Sequence, residues 1–269
     1  MKLRKGWHTY WKNPGDAGLP LRITWRLPDG FAAGPIEWPA PERIPEGPSI
    51  SYGYQGEVFL PIEITPPDRI AADSVTIEGS FEWLECKDVC LPSSSLLAIT
   101  LPVGSVPASA SPRASWFTEV RSRMPVPAAG WNLNAVAGPR AISLAVRPSP
   151  GVSSRGAYLF VDRPLVVDHS ALQGFERVEE GFRLTVPPAP NSQGPPDRLT
   201  GVLVLEARGG ARSRIALAVD VPVTVGDPAP APIPSRRGWL PATVYVAAFF
   251  LAGLGLALLL RRAGQARRS

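Results

Sequence analysis

Histidine, cysteine and methionine are scarce in this 269-residue chain, with two of each. The imidazoles are His8 and His169, and the thiols are Cys86 and Cys90. A closed zinc site wants four ligands and would have to gather both cysteines and both histidines, His8 and His169, from distant parts of the chain, so no metal site is expected. Copper(I), which accepts fewer and softer ligands, is not excluded. The chain also lacks a glycine-rich phosphate or dinucleotide motif and a Ser/His/Asp set of recognisable spacing. No cofactor is therefore expected. No basic stripe interleaved with aromatics occurs, and the net charge of +5 partly reflects arginines near the C-terminus. Nucleic acid is not an expected partner. Long uninterrupted stretches are missing as well. Thirty-two prolines and twenty-five glycines break the chain into short alternating segments, which predicts an all-β fold.

The most informative stretch is Trp83-Leu84-Glu85-Cys86-Lys87-Asp88-Val89-Cys90-Leu91-Pro92. Positions four apart in an extended strand lie about 13 Å from each other, against the roughly 4.4–6.8 Å Cα separation that a disulfide tolerates. The two cysteines can bond only if the chain turns between them. Val75, Ile77, Phe81 and Trp83 alternate with Thr76, Glu78, Ser80 and Glu82 in the period of a half-buried strand, and Leu97, Ile99 and Leu101 form a second alternating run. A hairpin turning at Lys87-Asp88-Val89 would bring Cys86 opposite Cys90. Three readings remain open at this point: a local structural bridge, a redox pair and a two-thiolate copper(I) site. So small a loop gives a stabilisation of about 2 kcal/mol, against about 4.7 kcal/mol for a hundred residues, which weakens the purely structural reading. Lys87 favours a thiolate while Glu85 and Asp88 oppose it.

Taken in order, Gly6-Trp7-His8-Thr9-Tyr10-Trp11 reads as a strand and Asn13-Pro14-Gly15-Asp16-Ala17-Gly18 as a turn. Leu21, Ile23, Trp25 and Leu27 mark a two-faced strand. The prolines of Glu37-Trp38-Pro39-Ala40-Pro41 exclude a central one. Val58, Leu60, Ile62 and Ile64 line one face of a strand that Pro61 confines to an edge or bulge. Trp116, Phe117, Val120 and Met124 fit one face of a short helix. Strands around Ile142, Tyr158, Phe182, Val202 and Ile215 then suit a second sandwich, in which His169 is a surface or loop residue rather than a ligand. Residues 239–260 carry no charge and, at 1.5 Å per residue, reach about 30 Å, enough to cross a bilayer. Arginines 261, 262, 267 and 268 against 236 and 237 favour a cytoplasmic C-terminus and an exported body. A basic start without a following apolar run suggests that the true N-terminus and its signal peptide precede Met1.

Gly6-Trp7-His8-Thr9-Tyr10-Trp11-Lys12-Asn13-Pro14-Gly15-Asp16-Ala17-Gly18-Leu19-Pro20, Tyr52-Gly53-Tyr54-Gln55-Gly56-Glu57-Val58 and the cysteine stretch, in that order, resemble the N-terminal periplasmic region of DsbD-type thiol:disulfide interchange proteins, most closely the ScsB-like branch. The resemblance implies two immunoglobulin-like β-sandwich domains (1–104 and 116–225) joined by a linker (105–115). A proline-rich spacer (226–238), a transmembrane helix (239–260) and a basic tail (261–269) follow. It implies that Cys86 and Cys90 are a redox pair with protein-disulfide reductase activity, and that Tyr52, Tyr54 and Trp83 shield it. Its partners would be periplasmic thioredoxin-like or other disulfide-containing proteins and a separate membrane electron donor, because the family's multi-span electron-carrying domain is not in this sequence. The location implied is the inner membrane, with the body in the periplasm. The alternatives are a copper-tolerance module that holds copper(I) on the same pair, and a structural adhesion or assembly module.

Overall fold

The structure, a computed structural model, describes residues 1–104, 112, 114–207 and 214–227. The expected span at 239–260, its basic tail and most of the proline-rich spacer and of the 105–115 linker lie outside the described residues. Among the described residues, no helix is long and apolar enough to cross a membrane. These residues belong to one compact unit that is almost wholly β, as the spacing of proline and glycine predicts.

The N-terminal half comprises β1 (His8–Gly15), β2 (Arg22–Arg26), β3 (Ala32–Ile36), β4 (Glu42–Glu46), β5 (Ser49–Gln55), β6 (Ile62–Thr65), β7 (Ser74–Cys86) and β8 (Cys90–Pro102). The main sheet runs β2-β7-β1-β5-β4, with β8 on the other side of β7, while β3 and β6 form a separate pair. Residues 37–41 stay outside the strands, as their prolines require. The strand expected from Val58 begins only at Ile62, just past Pro61, and it pairs with β3 alone.

Asn13-Pro14-Gly15 is not a turn but the end of β1, whose register against β5 slips between Tyr10 and Gly15. Pro14 sits in that irregular stretch, where the ladder does not need its missing N–H. Gly53 lies within β5 rather than in a turn. A Cβ there would fall 1.9 Å from the Thr9 carbonyl oxygen, so the close approach of β1 requires glycine.

The helix α1 (Ala114–Arg121) buries only Val120. Trp116 and Phe117 remain about half exposed, although the Trp116 ring lies 5.5 Å from that of Phe59. Then come β9 (Val126–Pro127), β10 (Asn132–Ala137), β11 (Ile142–Arg147), β12 (Ser154–Val161), β13 (Gly174–Val178), β14 (Gly181–Val186), β15 (Arg198–Ala207) and β16 (Arg214–Val225). Their order is β12-β15-β16-β10-β11-β14-β13, with β9 beside β16. The first part of β16 pairs antiparallel with β15 and its last residues pair parallel with β10, so one strand joins both parts of the sheet. Leu144, Leu159, Leu184, Leu199, Leu203 and Leu217 fill the core between them.

One face of the N-terminal sheet packs on the outer side of β12 and β15. Trp11, Tyr52 and Tyr54 share a buried cluster with Phe160, Val202 and Val204. The Tyr52 and Tyr158 hydroxyls lie 2.9 Å apart. Asn13 Nδ2 donates to the carbonyls of Val161 (2.7 Å) and Arg163 (3.3 Å), and Lys12 pairs with Asp162 at 2.8 Å. His169 is indeed in a loop but is not a surface residue. It is 5% exposed, with its ring 4.8 Å from that of Tyr52.

Candidate functional site

β7 and β8 pair without a break from Ser74↔Pro102 to Cys86↔Cys90. The turn residues 87–89 close this ladder, with Lys87 N–H donating to the Val89 carbonyl at 3.1 Å. Directly opposed residues are where the hairpin argument puts a bond, and Cys86 and Cys90 are disulfide-linked, with S–S 2.00 Å and Cα–Cα 4.2 Å. The two sulfurs are not equivalent. Cys86 is fully buried, whereas Cys90 is exposed at the hairpin tip. Lys87 and Asp88 beside them form an exposed ion pair at 3.6 Å.

β1 pairs antiparallel with the end of β7, with His8 opposite Cys86 and Thr9 Oγ1 donating to the Leu84 carbonyl at 3.0 Å. Residues two apart share a face of a strand, so His8 and Tyr10 both face the disulfide side of the sheet. The Tyr10 hydroxyl lies 3.8 Å from Cys90 Sγ. A disulfide sulfur carries no proton, so the phenol is the donor. The His8 ring stands edge-on to Tyr10 at 5.2 Å, and its Nε2 lies 3.4 Å from Glu46 Oε1. That approach lacks hydrogen-bond geometry, which leaves Nε2 a buried polar atom without a partner. Glu46 accepts instead from the Ser51 hydroxyl. Burial, which outweighs Glu46, holds His8 below the usual histidine range, so it is neutral near pH 7. Burial first and Glu46 second push the Tyr10 phenol up to about 12.

The expected shielding residues lie elsewhere. Register puts Thr9 beside Tyr54 on the face away from His8 and Tyr10, and Tyr52 shares that face. There they form the seam with β12 and β15; Tyr54 donates its hydroxyl to the Pro39 carbonyl at 2.8 Å. Trp83 falls on the same face, with Nε1 donating to Glu85 at 2.8 Å. Together with Leu21, Leu60, Ile62, Phe81 and Leu97 it lines a groove of about 370 Å³. The aromatic ring beside the disulfide is Tyr10. Sequence reasoning missed it: alternation puts Tyr10 on the face of His8, but only the pairing of β1 with β7 sets that face beside Cys86. Glu46 and Ser51 gave no signal, because strand pairing alone brings them to the site.

Residues 1–102 match the family described as thiol:disulfide interchange protein DsbD, N-terminal. The match takes in the cysteine hairpin and the strands paired beside it. Among solved structures, the crystal structure of the N-terminal periplasmic domain of ScsB from Proteus mirabilis shares the fold. Its TM-score is 0.61 at 18% identity, over 84% of this chain and 85% of that one. No curated protein matches the chain.

Proposed function

We propose that the chain is a periplasmic thiol–disulfide interchange protein that passes reducing equivalents through Cys86 and Cys90 to partner proteins. In this reading it is tethered to the inner membrane by residues 239–260, and its body is two immunoglobulin-like domains. The observation that carries the reading is the asymmetry of the pair, one sulfur exposed at a hairpin tip and the other buried behind it. An exposed sulfur can meet a partner, and a buried neighbour can resolve the intermediate.

The Cys90 thiolate attacks one sulfur of the partner's disulfide; a new S–S bond forms and the partner's other sulfur leaves as a thiolate. Cys86, as thiolate, then attacks Cys90 Sγ. That step re-forms the internal bond and releases the partner's second thiolate. Two electrons have passed to the partner, and a separate membrane donor re-reduces the pair. The partners supported by this chemistry are thioredoxin-like or other disulfide-containing proteins.

The test is trapping in cells. A Cys86→Ala variant, which keeps the exposed sulfur, accumulates a mixed disulfide visible on non-reducing gels, and Cys90→Ala does not. A chain in which neither variant traps a protein is not an interchange protein.

A further inference from the structure

The loop residues Asp16, Ala17 and Gly18 have no part in the exchange as described so far, yet they are built against the residue beside the disulfide. Gly18, at φ +112°, lies against the Tyr10 ring, and a Cβ there would fall 2.1 Å from Cε1 and 2.3 Å from Cδ1. The loop is pinned to β5. Asp16 Oδ2 accepts from the Ile50 N–H at 2.7 Å, and the Asp16 N–H donates to the Ile50 carbonyl at 2.9 Å. His8 stands against the ring edge-on. Tyr10 is thus 2% exposed, with its hydroxyl beside Cys90 Sγ.

We propose that Tyr10, seated by Gly18, takes part in the exchange by donating its hydroxyl hydrogen bond to Cys90 Sγ and stabilising that sulfur when it is a thiolate. The proposal rests on the reading of Cys90 as the exchanging sulfur. As the Cys90 thiol ionises, its proton passes to the solvent that reaches this exposed residue. The thiolate's electron pair then forms the bond to the partner's sulfur, and the broken S–S bond leaves its pair on the partner. A hydrogen bond to the charged form favours that form.

The surrounding charges supply no such help. Glu46 faces the site from β4 and opposes a thiolate, while buried His8 is neutral. Lys87 and Asp88 at the hairpin tip offset each other, and Glu85 is held by Trp83. A neutral donor fixed in place is the group left to favour the anion. With its phenol pushed up to about 12, Tyr10 remains a donor throughout thiol ionisation.

The experiment uses the full chain carrying Cys86→Ser, in which Cys90 is the lone thiol, and follows the rate of iodoacetamide alkylation against pH. Removing the hydroxyl with Tyr10→Phe moves the midpoint to higher pH and slows alkylation near neutrality about fivefold. Gly18→Ala, which displaces the ring, moves it in the same direction. A pH profile unchanged in Tyr10→Phe overturns the proposal, because a packing role lowers the thermal midpoint without moving that profile. If Tyr10→Phe does not fold, 3-fluorotyrosine placed at position 10 keeps the hydroxyl and makes it a stronger donor. Its midpoint must move to lower pH, and no movement overturns the proposal equally. The alkylation profile does not depend on any partner. A failure of the interchange reading therefore shows separately, as absence of trapping with Tyr10 intact.

Discussion

Asn13→Ala tests how the N-terminal sheet is held to its neighbour. The Asn13 side chain is 1% exposed and makes three hydrogen bonds: Nδ2 to the Val161 and Arg163 carbonyls at 2.7 and 3.3 Å, and Oδ1 from the Gly15 N–H at 3.2 Å. Each such bond contributes about 1 kcal/mol net, and a buried group left unpartnered costs about 1–3 kcal/mol. The Val161 carbonyl and the Gly15 N–H lose a partner together, so the expected loss is about 3 kcal/mol. For a unit of this size, 1 kcal/mol moves the thermal midpoint by about 2–4 °C, which predicts a fall of about 6–12 °C. The assay is thermal unfolding of the full chain by circular dichroism with the disulfide intact. Asn13→Asp keeps the acceptor for Gly15 but sets a carboxylate oxygen against the Val161 carbonyl, so it is expected to be at least as unstable. A fall of less than about 2 °C in the alanine variant would show that water replaces these bonds, and the account of Asn13 would be refuted.

Burial holds both His169 and His8 below the usual histidine range. Between their folded values and the ordinary value near 6.5 the unfolded chain binds more protons, so stability is complete above that value and declines as pH falls through it. Urea midpoints should decline between about pH 7.5 and about pH 5, less so in His169→Gln, and a flat profile contradicts the burial argument. Gly53→Ala drives a Cβ to 1.9 Å from the Thr9 carbonyl oxygen and is expected to cost more than about 4 kcal/mol; soluble expression at wild-type level would disprove the close approach. Replacing both cysteines with serine should lower stability by only about 2 kcal/mol while abolishing exchange. A much larger loss, read from the urea midpoint, would favour a structural bridge.

The strands with clean alternation were legible in the sequence. β7, β11, β14 and β16 lie where Ile77, Leu144, Leu184 and Leu217 predict them. β10 and β13 were missed because Asn132-Leu133-Asn134-Ala135-Val136-Ala137 and Gly174-Phe175-Glu176-Arg177-Val178 mix small, charged and apolar residues, and their pairing neighbours rather than their own pattern fix them as strands. Alternation also overstates burial. Leu97 and Ile99 follow the rule, but β8 pairs only with β7, and both side chains remain more than half exposed. For the site, the spacing of the cysteines was enough to pose the hairpin. The identity of their neighbours was not legible, because Glu46, Ser51 and Gly18 reach Tyr10 through the pairing of β1 with β5 and of β5 with β4, and through one loop contact.

The hairpin that carries the disulfide is already closed without it. Backbone pairing runs from Ser74↔Pro102 up to the residue pair adjoining the cysteines, and the covalent link only repeats the last rung. Cutting that rung frees no long loop and uncovers no core, so reduction need not propagate into the fold. Oxidised and reduced chains would then present one surface to every partner. What differs between them is whether Cys90 is bonded to Cys86 or carries a free thiol, a change confined to one rung at the tip of the hairpin.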